Sequence, residues 1–399
     1  MKIAYFVSHP IQYQAPLLRR IAQEPGIELT VFYFSDLSVR GYIDEGFGGI
    51  QVHWDVSLLD GYTHEFLPGL RKRDSLGFAT PVNYGIISRL RRGKFDAVWV
   101  HGYHMLSALH AIVAAKVLGI PVLLRAESTL DDRPRSRAKL LTKKFFFTLL
   151  GTSVRCVLPI GTKNAEYWRA SFGAKMPAFP MPYAVDNEFF RQFAAQAAMR
   201  RETLRSELNL KPGLPVFLFA SKLQQRKRCI DLVEAFLRLA PSPGTDPPAY
   251  LLIVGDGEER KTIEQRIQAS GSANIRMLGF QNQSELPRFF DLCDAFVLPS
   301  IHEPWGLIVN EVMNASRAVV VSDQVGCAPD LVRDGVNGFV FPALDIDALS
   351  ATLRRFIEDP SLAPAMGKQS AATIAAYSFQ QDVEALRRAL AFVVPGFNA

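Results

Sequence analysis

The stretch that decides the fold is Ala295-Phe296-Val297-Leu298-Pro299-Ser300, followed by Glu303-Pro304-Trp305-Gly306-Leu307-Ile308-Val309-Asn310-Glu311. The short apolar run, the Pro-aromatic-Gly turn and the second apolar run predict a strand, a loop and a helix. Glu303 is then expected beside the free N–H groups of the helix N-terminus, with Glu311 about two turns further along. Both carboxylates would face the crevice at the carboxyl ends of parallel strands, where open α/β sheets bind ligands.

Short apolar runs alternate with longer helical patterns along the whole chain of 399 residues. In the first half the strand candidates are Lys2–Val7, Glu28–Phe34, Ala97–His101, Pro121–Arg125 and Arg155–Pro159. In the second half they are Val216–Ser221, Tyr250–Gly255, Ile275–Leu278, Ala295–Pro299 and Ala318–Ser322. The two sets are similar in number and spacing. We therefore predict an α/β protein with two Rossmann-like, doubly wound lobes.

The boundary between the lobes is predicted in a polar helical stretch that stops at Lys211-Pro212-Gly213-Leu214-Pro215. We therefore assign residues 1–186 to an N-terminal lobe and residues 213–378 to a C-terminal lobe. Residues 187–212 form the predicted linker region between them. A last helical pattern, residues 379–394, follows the second lobe and is expected to pack back on the first.

Composition and charge restrict the class of protein. Hydrophobic residues make up 48% of the chain and charged residues 21%, which is typical of a soluble globular protein. The formal net charge is +6, a mild excess that fits an acidic ligand such as a nucleoside diphosphate, or an anionic membrane surface. A dedicated nucleic-acid binder is usually more basic, so we expect no nucleic-acid partner.

The cysteines and the N-terminus indicate the compartment. The four cysteines are widely spaced, without metal-finger or redox-pair spacing, so buried reduced thiols are expected. The run Lys2–Val7 is too short for a signal peptide and fits a first strand. No uninterrupted apolar run has the length of a membrane span. We expect a cytoplasmic protein, with peripheral contact at the inner face of the membrane as an open alternative.

A cluster of cations follows another predicted strand. Phe217-Leu218-Phe219-Ala220-Ser221-Lys222-Leu223 leads into Gln224-Gln225-Arg226-Lys227-Arg228, and a helical pattern follows. Cations at a helix entry oppose the helix dipole, so a merely solvated basic helix start is disfavoured. A departing diphosphate needs positive charge where negative charge develops, and Lys and Arg side chains supply it without a metal. The cluster therefore indicates a phosphate site, with no metal or cofactor required.

In this order the motifs resemble the retaining nucleotide-sugar glycosyltransferases of family GT4, which have the GT-B fold of two lobes facing a central cleft. Lys222 stands where the family usually has Arg, and Lys227 stands at its Lys position. The pair Ser221-Lys222 replaces the usual Gly-Arg. Because Lys is a point charge and not a bidentate fork, the second diphosphate contact stays open between Lys222, Arg226 and Arg228.

The resemblance implies roles for residues of the second lobe. Glu311 would accept hydrogen bonds from ribose hydroxyls, and Glu303 would lie near the donor sugar and act in catalysis with Lys227. Backbone groups near Gly279 and Phe280 would bind the nucleobase, while N–H groups at the helix start suit sugar hydroxyls or phosphate. The implied donor site consists of Lys222, Lys227, Arg228, Gly279, Phe280, Gly306, Leu307, Ile308 and Glu311.

The first lobe carries the acceptor candidates. Ser8-His9-Pro10-Ile11-Gln12-Tyr13-Gln14 replaces the glycine-rich loop of many GT-B enzymes, and its His-Pro-Ile-Gln-Tyr segment resembles a bacterial GT4 subgroup. This turn forms either a side-chain-built pocket or an X-Pro turn before a helix. His101 ends a strand where several family members have a histidine, which implies a catalytic role. Arg125 and Glu127 bind either each other or the acceptor. The acceptor candidates are His9, Gln12, Tyr13, Arg125 and Glu127.

One basic and aromatic segment fits two interpretations. It contains Arg133, Arg135, Arg137, Lys139, Lys143, Lys144 and then Phe145-Phe146-Phe147. It either docks on an anionic membrane that carries a lipid-linked acceptor, or forms a buried helix with a solvated basic start. The apolar residues do not separate cleanly from the cations on a helical wheel, which favours the buried helix.

The sequence as a whole predicts a retaining, hexosyltransferase-like glycosyltransferase of polysaccharide, glycolipid or other glycoconjugate biosynthesis. It would move a sugar from a nucleotide-diphosphate donor to a hydroxyl of a glycan, lipid-linked or small-molecule acceptor. A GT-B sugar-nucleotide epimerase and a non-enzymatic sugar-nucleotide binder are the alternatives. An NAD-dependent oxidoreductase is disfavoured because the first strand lacks Gly-x-Gly-x-x-Gly.

Overall fold

The computed structural model describes residues 1–44, 46, 48–70, 76–130, 137–242 and 245–397, with only the backbone of residues 42, 43, 52 and 137–140. The chain divides into two compact units. Unit 1 comprises Met1–Tyr42, Val52–Val185 and Ser378–Ala399, and unit 2 comprises Ile43–Gln51 and Asp186–Tyr377.

The elements up to residue 185 begin and end as follows. The strands are β1 (Lys2–Val7), β2 (Glu28–Tyr33), β3 (Tyr42–Asp44), β4 (Ile50–Val52), β5 (Thr63–Phe66), β6 (Gly69–Leu70), β7 (Val82–Asn83), β8 (Ala97–His101), β9 (Val122–Arg125) and β10 (Cys156–Val157). The helices are α1 (Ala15–Ala22), α2 (Ile86–Gly93), α3 (Leu106–Val117), α4 (Arg137–Gly151) and α5 (Thr162–Phe172). Unit 1 has a six-stranded parallel sheet in the order β10-β9-β8-β1-β2-β5.

The later elements repeat this plan. The strands are β11 (Val216–Ala220), β12 (Tyr250–Val254), β13 (Ile275–Gly279), β14 (Ala295–Leu298), β15 (Ala318–Ser322) and β16 (Gly338–Phe341). The helices are α6 (Asn187–Ala198), α7 (Arg201–Glu207), α8 (Cys229–Leu237), α9 (Arg260–Ser270), α10 (Leu286–Leu292), α11 (Leu307–Asn314), α12 (Ala328–Leu331), α13 (Ile346–Glu358), α14 (Leu362–Ile374) and α15 (Phe379–Val393). Unit 2 has a six-stranded parallel sheet in the order β13-β12-β11-β14-β15-β16.

The central strands of the unit 2 sheet consist of continuous apolar residues. All residues of β11 and β12 are buried, as expected for parallel strands covered by helices on both faces. In unit 2 the apolar side chains of these strands pack against α8 and α13 in one core. The prediction of an α/β protein with two Rossmann-like parallel-sheet lobes is confirmed.

Each sheet ends in a strand that the sequence did not predict. β5 lies at the edge beside β2, and its residues are exposed or half-buried. β16 lies at the edge beside β15 and begins at a glycine directly after a turn. β5, Thr63-His64-Glu65-Phe66, lacks a continuous apolar run because an edge strand needs apolar residues on fewer sides. The apolar run of β16, Phe339-Val340-Phe341, has only three residues and directly follows a turn, so it gives a weaker signal.

The segments around the predicted boundary are ordered parts of the units. Residues 187–212, predicted as a linker region, contain α6 and α7, and Asn187 at the start of α6 donates from Nδ2 to the carbonyl of Tyr377 at 3.0 Å within unit 2. Residues 43–51 are assigned to unit 2 although they precede most of unit 1 in the chain. The last helix, α15, packs in unit 1, where Leu386 and Leu390 join the core of Ile3 and Leu18.

The cysteines, the membrane-span criterion and the basic segment each correspond to a prediction made from the sequence. All four cysteines are free and buried. No helix in the described part of the chain is both long enough and apolar enough to cross a membrane. Of the basic segment, Arg133 and Arg135 lie outside the described residues, and so do the side chains of Arg137 and Lys139.

Candidate functional site

The carboxyl edge of the unit 2 sheet brings the two charged motifs together. β11 and β14 are neighbouring parallel strands, so the loops that follow them leave the sheet side by side. Lys227 lies in a 3-10 turn, Gln225–Lys227, after β11, and Glu303 lies in the loop after β14. The backbone joins the two loops because Ile301 N donates to Arg226 O at 2.9 Å. Lys227 and Glu303 are therefore brought together by the order of the strands in the sheet, although they are far apart in the sequence.

A third loop fixes the position of Glu303. Gly326 N, after β15, donates to Glu303 O at 2.8 Å, and Cys327 N donates to Trp305 O at 2.9 Å. The backbones approach so closely that a Cβ on Gly326 would overlap the carbonyl oxygen of Pro304. Only glycine fits this contact without displacing the loop, so Gly326 is a positioning residue, a role that its sequence context did not indicate.

Lys227 and Glu303 form a buried ion pair. Lys227 is 7% exposed, and its Nζ donates to Glu303 Oε2. Burial lowers the pKa of the Lys227 ammonium, although the neighbouring carboxylate raises it in part. The Arg226 guanidinium lies 3.8 Å from Glu303 Oε2 and donates to the carbonyl of His302 at 3.1 Å. This edge of the sheet therefore carries one paired carboxylate and two cations, a setting suited to a phosphate group.

Glu311 lies on α11, the helix that follows the Glu303 loop. Gly306 begins this helix with a left-handed backbone, φ 97°, and the N–H groups of Leu307 and Ile308 lie in its first turn. Glu311 Oε2 is buried without a hydrogen-bond partner among the described residues. Burial raises the pKa of this carboxyl to about 8. A buried oxygen of this kind needs a donor, which a hydroxyl-bearing ligand would supply.

The other two cations of the cluster are paired with carboxylates. Lys222 Nζ donates to both oxygens of Asp44, at 3.0 and 2.9 Å. Arg228 donates to both oxygens of Asp231, at 2.8 and 2.6 Å. Asp231 follows Arg228 at i+3, a spacing visible in the sequence, whereas nothing in the sequence marks Asp44 as a partner of unit 2. Among the four cluster cations, Lys227 and Arg226 are the two beside Glu303.

The predicted base-binding residues lie at the edge of the same sheet. Gly279 ends β13 with φ 69°, and its carbonyl accepts from Gly255 N at 2.8 Å. Phe280 follows and is half-buried. β13 is separated from β11 by one strand and from β14 by two, so Gly279 and Phe280 lie further along the sheet edge than the loops that carry Lys227 and Glu303. Among the described residues, no group of His, Cys, Asp or Glu side chains is suited to hold a metal ion.

Unit 1 has a second polar cluster, centred on Glu127. Tyr13 donates to Glu127 Oε1 at 2.9 Å, and Tyr183 donates to the same oxygen. His101 Nε2 lies 3.7 Å from Oε1 and 3.5 Å from the Tyr183 hydroxyl. The sequence did not predict Tyr183 as a site residue. Its neighbours in the chain are apolar, and its partner Glu127 lies 56 residues earlier, after β9. The structure thus brings Tyr13, His101 and Glu127 together.

Arg125 lies beneath this cluster and does not contact a ligand-accessible surface. It is 1% exposed, donates to the carbonyl of Met181 at 2.9 Å and lies 4.8 Å from the centre of the Tyr183 ring. These contacts join Arg125 to Met181 and Tyr183, and its pairing with Glu127 or with the acceptor stays a prediction. His9 is half-buried with Nδ1 2.8 Å from Ser8 Oγ, and Gln12 is half-buried in the same turn.

Burial and hydrogen bonds set the charges of the cluster. Burial lowers the pKa of His9 to about 4 and lowers that of His101, so both imidazoles are neutral at neutral pH. Burial would raise the pKa of Glu127, but the neighbouring His101 imidazole and the hydrogen bonds from Tyr183 and Tyr13 outweigh it and hold that pKa at about 2. The cluster therefore combines one ionised carboxylate with neutral imidazole and phenol groups.

Comparison with known proteins identifies the class of the chain. Residues 200–373 match the family model of the group 1 glycosyl transferases. The α-D-kanosaminyltransferase of Streptomyces kanamyceticus is 25% identical over 274 residues, which cover 66% of this chain and 68% of the relative. An Escherichia coli enzyme, UDP-Gal:α-D-GlcNAc-diphosphoundecaprenol α-1,3-galactosyltransferase, is 24% identical over 301 residues, covering 74% of this chain and 75% of the relative.

A solved structure shares the whole fold. The Anabaena protein HepE, in complex with UDP, superposes with a TM-score of 0.73 at 18% identity, covering 98% of this chain and 100% of that chain. The fold is that of the GT-B glycosyltransferases. With the matched domain and the named relatives, the chain is a glycosyltransferase. This class sets aside the epimerase and the non-enzymatic binder.

The contact between Gly326 and Pro304 predicts the effect of one added methyl group. We expect Gly326→Ala to lower the free energy of unfolding by about 1–3 kcal/mol, the usual cost of overpacking, and to displace Glu303 from Lys227. Thermal unfolding measures the first effect and the loss of nucleotide-induced stabilisation measures the second. As a control, Gly151→Ala adds the same methyl group beside the movable Phe172 ring, 3.3 Å away, and should cost less. Equal losses in the two variants would contradict the positioning role.

The raised pKa of Glu311 predicts a pH-dependent stability. The native carboxyl keeps its proton up to about pH 8, whereas the unfolded carboxyl loses it near its ordinary value of 4.5. The native state therefore binds more protons in this window, and its stability falls as the pH rises from 4.5 to 8. Glu311→Gln removes this titration, so its melting temperature should exceed that of the wild type increasingly over the same range. A constant difference between the two curves would refute the assignment.

Proposed function

We propose that the chain transfers a sugar, with retention of anomeric configuration, from a nucleotide-diphosphate donor to an acceptor hydroxyl. The observation that carries the proposal is the carboxyl edge of unit 2. There the Lys227 ammonium is paired with Glu303, and Glu311 has a buried oxygen with no partner among the described residues. A nucleotide sugar offers a diphosphate that can replace Glu303 as the partner of Lys227, and ribose hydroxyls for the oxygen of Glu311.

In this proposal the donor diphosphate takes Lys227 as its counter-ion, with Arg226 beside it. The two cations stabilise the negative charge that develops on the leaving group, without a metal ion. Glu303 is then released toward the donor sugar, where its carboxylate stabilises an oxocarbenium-like centre. The acceptor hydroxyl attacks on the face of the leaving group, and the departing phosphate oxygen accepts its proton. No carboxylate is assigned as a covalent nucleophile.

The nucleoside is placed along the same edge. Glu311 accepts hydrogen bonds from the ribose hydroxyls, and the free N–H groups of Leu307 and Ile308 bind phosphate or sugar oxygens. Backbone groups at Gly279 and Phe280 bind the base. The complex of HepE with UDP supports a nucleotide in this fold. Lys222 and Arg228 bind donor phosphate only if they exchange their present carboxylate partners.

The names of the relatives support retention and a wide choice of acceptors. The Escherichia coli relative is an α-1,3-galactosyltransferase that acts on a lipid-linked sugar, and the Streptomyces kanamyceticus relative transfers an α-D-kanosaminyl group. An α-linkage formed from an α-linked sugar nucleotide is a retaining outcome. We therefore place this enzyme in glycoconjugate synthesis, with a glycan, lipid-linked or small-molecule acceptor.

The ion pair between Lys227 and Glu303 gives a direct test of the donor site. Removing one partner leaves a buried unpaired charge, so Lys227→Met should lose about 3–5 kcal/mol of stability as well as transfer. The double variant Lys227→Met/Glu303→Gln removes both charges and should regain most of the stability without regaining transfer. Thermal shifts with UDP, GDP and ADP, and their sugars, then report donor binding separately, because a ligand that binds the native state stabilises it.

The controls for this test are exposed residues of α9. Lys261→Met and Glu264→Gln change the same charges on the surface of unit 2 and should leave transfer and nucleotide shifts unchanged. Full transfer by the double variant would refute the roles of Lys227 and Glu303. The absence of a thermal shift with every nucleotide would refute the donor class itself.

We also propose that α4 contacts an anionic membrane surface. One face of α4 is packed, since Phe147 and Leu150 are 2% and 7% exposed in the core of unit 1. Another face carries Leu141, Phe145 and Leu149, which are 70%, 72% and 61% exposed at helical spacing, with Lys144 exposed beside Phe145. Apolar side chains next to a cation suit the boundary between anionic headgroups and acyl chains.

Vesicle sedimentation tests this contact. The wild type should bind vesicles that contain anionic lipid and leave neutral phosphatidylcholine vesicles unbound. The triple variant Leu141→Ser/Phe145→Ser/Leu149→Ser should lose this binding and keep its melting temperature, because the three side chains are exposed. Val113→Ser/Val117→Ser on α3 is the matched control, with 55% and 70% exposure. Equal binding by both variants would contradict the role of α4.

A further inference from the structure

The hydrogen bonds that hold the Glu127 carboxylate reach one of its two oxygens, Oε1. Its contacts with Tyr13, Tyr183 and His101 all reach Oε1. The side chain is nevertheless 39% exposed, so the second oxygen, Oε2, is open to a ligand. Two phenol donors on one oxygen hold the carboxylate in a single orientation, as a binding group needs.

Glu127 is an ionised side chain of the cluster that a ligand can reach. Glu127 and Arg125 are among the charged groups that act on the Tyr183 hydroxyl, and Arg125 is 1% exposed beneath the ring. The imidazoles of His9 and His101 are neutral at neutral pH, because burial lowers the pKa of each. Among the described residues of unit 1, a ligand that enters here meets a carboxylate, two phenols and neutral imidazoles, and the ionised carboxylate disfavours an anionic group.

The same contacts argue that Glu127 binds and does not act as a base. A general base works best when its pKa lies near the working pH. The hydrogen bonds from Tyr13 and Tyr183, together with the nearby His101 imidazole, hold the pKa of Glu127 at about 2, far below that range. The group remains a strong acceptor of hydrogen bonds, and it is strongest for a charged donor.

We infer that Glu127 Oε2 selects the acceptor, by binding a hydroxyl or protonated amine of a non-anionic sugar or polyol ring and excluding one that carries phosphate or carboxylate at that position. The inference rests on the proposed transfer reaction and adds the chemical class of its acceptor. Tyr13 and Tyr183 are positioning residues in this role, since they reach the ligand only through the orientation of Glu127.

Binding of three related sugars to the full chain tests the inference. Glucosamine, glucose and glucose 6-phosphate are titrated at neutral pH in the presence of saturating UDP, and the apparent affinities are compared. We expect glucosamine to bind about tenfold more tightly than glucose, through a charge-assisted hydrogen bond, and glucose 6-phosphate to bind least. Glu127→Gln should remove the preference for the amine, whereas Tyr13→Phe should weaken all binding and keep the order.

The outcomes separate this inference from the transfer proposal. Tighter binding of glucose 6-phosphate, an amine preference that persists in Glu127→Gln, or an equal or absent response to all three sugars would overturn the role of Glu127. None of these results affects the donor site, which the thermal shift with UDP reports independently through unit 2. A missing UDP shift would instead refute the donor assignment, whatever the three sugars do.

Discussion

The buried ion pair between Lys227 and Glu303 is the constraint on which the ligand edge of unit 2 depends. Each charge would cost several kcal/mol to bury alone, so the loops after β11 and β14 are stable only in the register that joins them. The adjacency of the two strands provides this register, and the contact at Gly326 holds the Glu303 loop from the other side. A donor phosphate can then compete for a cation that is already placed and largely dehydrated.

The two polar sites are opposite in chemical character. The unit 2 edge offers Lys227 and Arg226 and a carboxyl, Glu311, that keeps its proton to about pH 8. The cluster of unit 1 offers an ionised Glu127 among neutral groups. In the proposed reaction this division would favour an anionic donor at the cations of unit 2 and disfavour it beside the ionised Glu127. Selectivity between the two substrates would thus follow from charge before any shape is considered.

The sequence predicted most of the fold but only part of each site. Buried parallel strands are recognisable in the sequence as continuous apolar runs. The edge strand β5 is half-exposed and has no such run, and the run of β16 is only three residues long after its first glycine. Glu303, Glu311 and Lys227 could be placed because each follows a recognisable strand within one βα unit. The pairing of Lys222 with Asp44 could not, since it joins distant parts of the chain, and the burial of Arg125 depends on packing that no local pattern encodes.

The return of α15 to unit 1 affects the order in which the protein can fold. Leu386 and Leu390 of α15 share a core with Ile3 of β1, so β1 is synthesised long before the helix that completes its core. Residues 186–377 of unit 2 emerge in between and need from earlier synthesis only residues 43–51. Domains generally fold as units during synthesis. Unit 2 can therefore be complete while the core of unit 1 still lacks α15 and leaves apolar side chains of β1 uncovered.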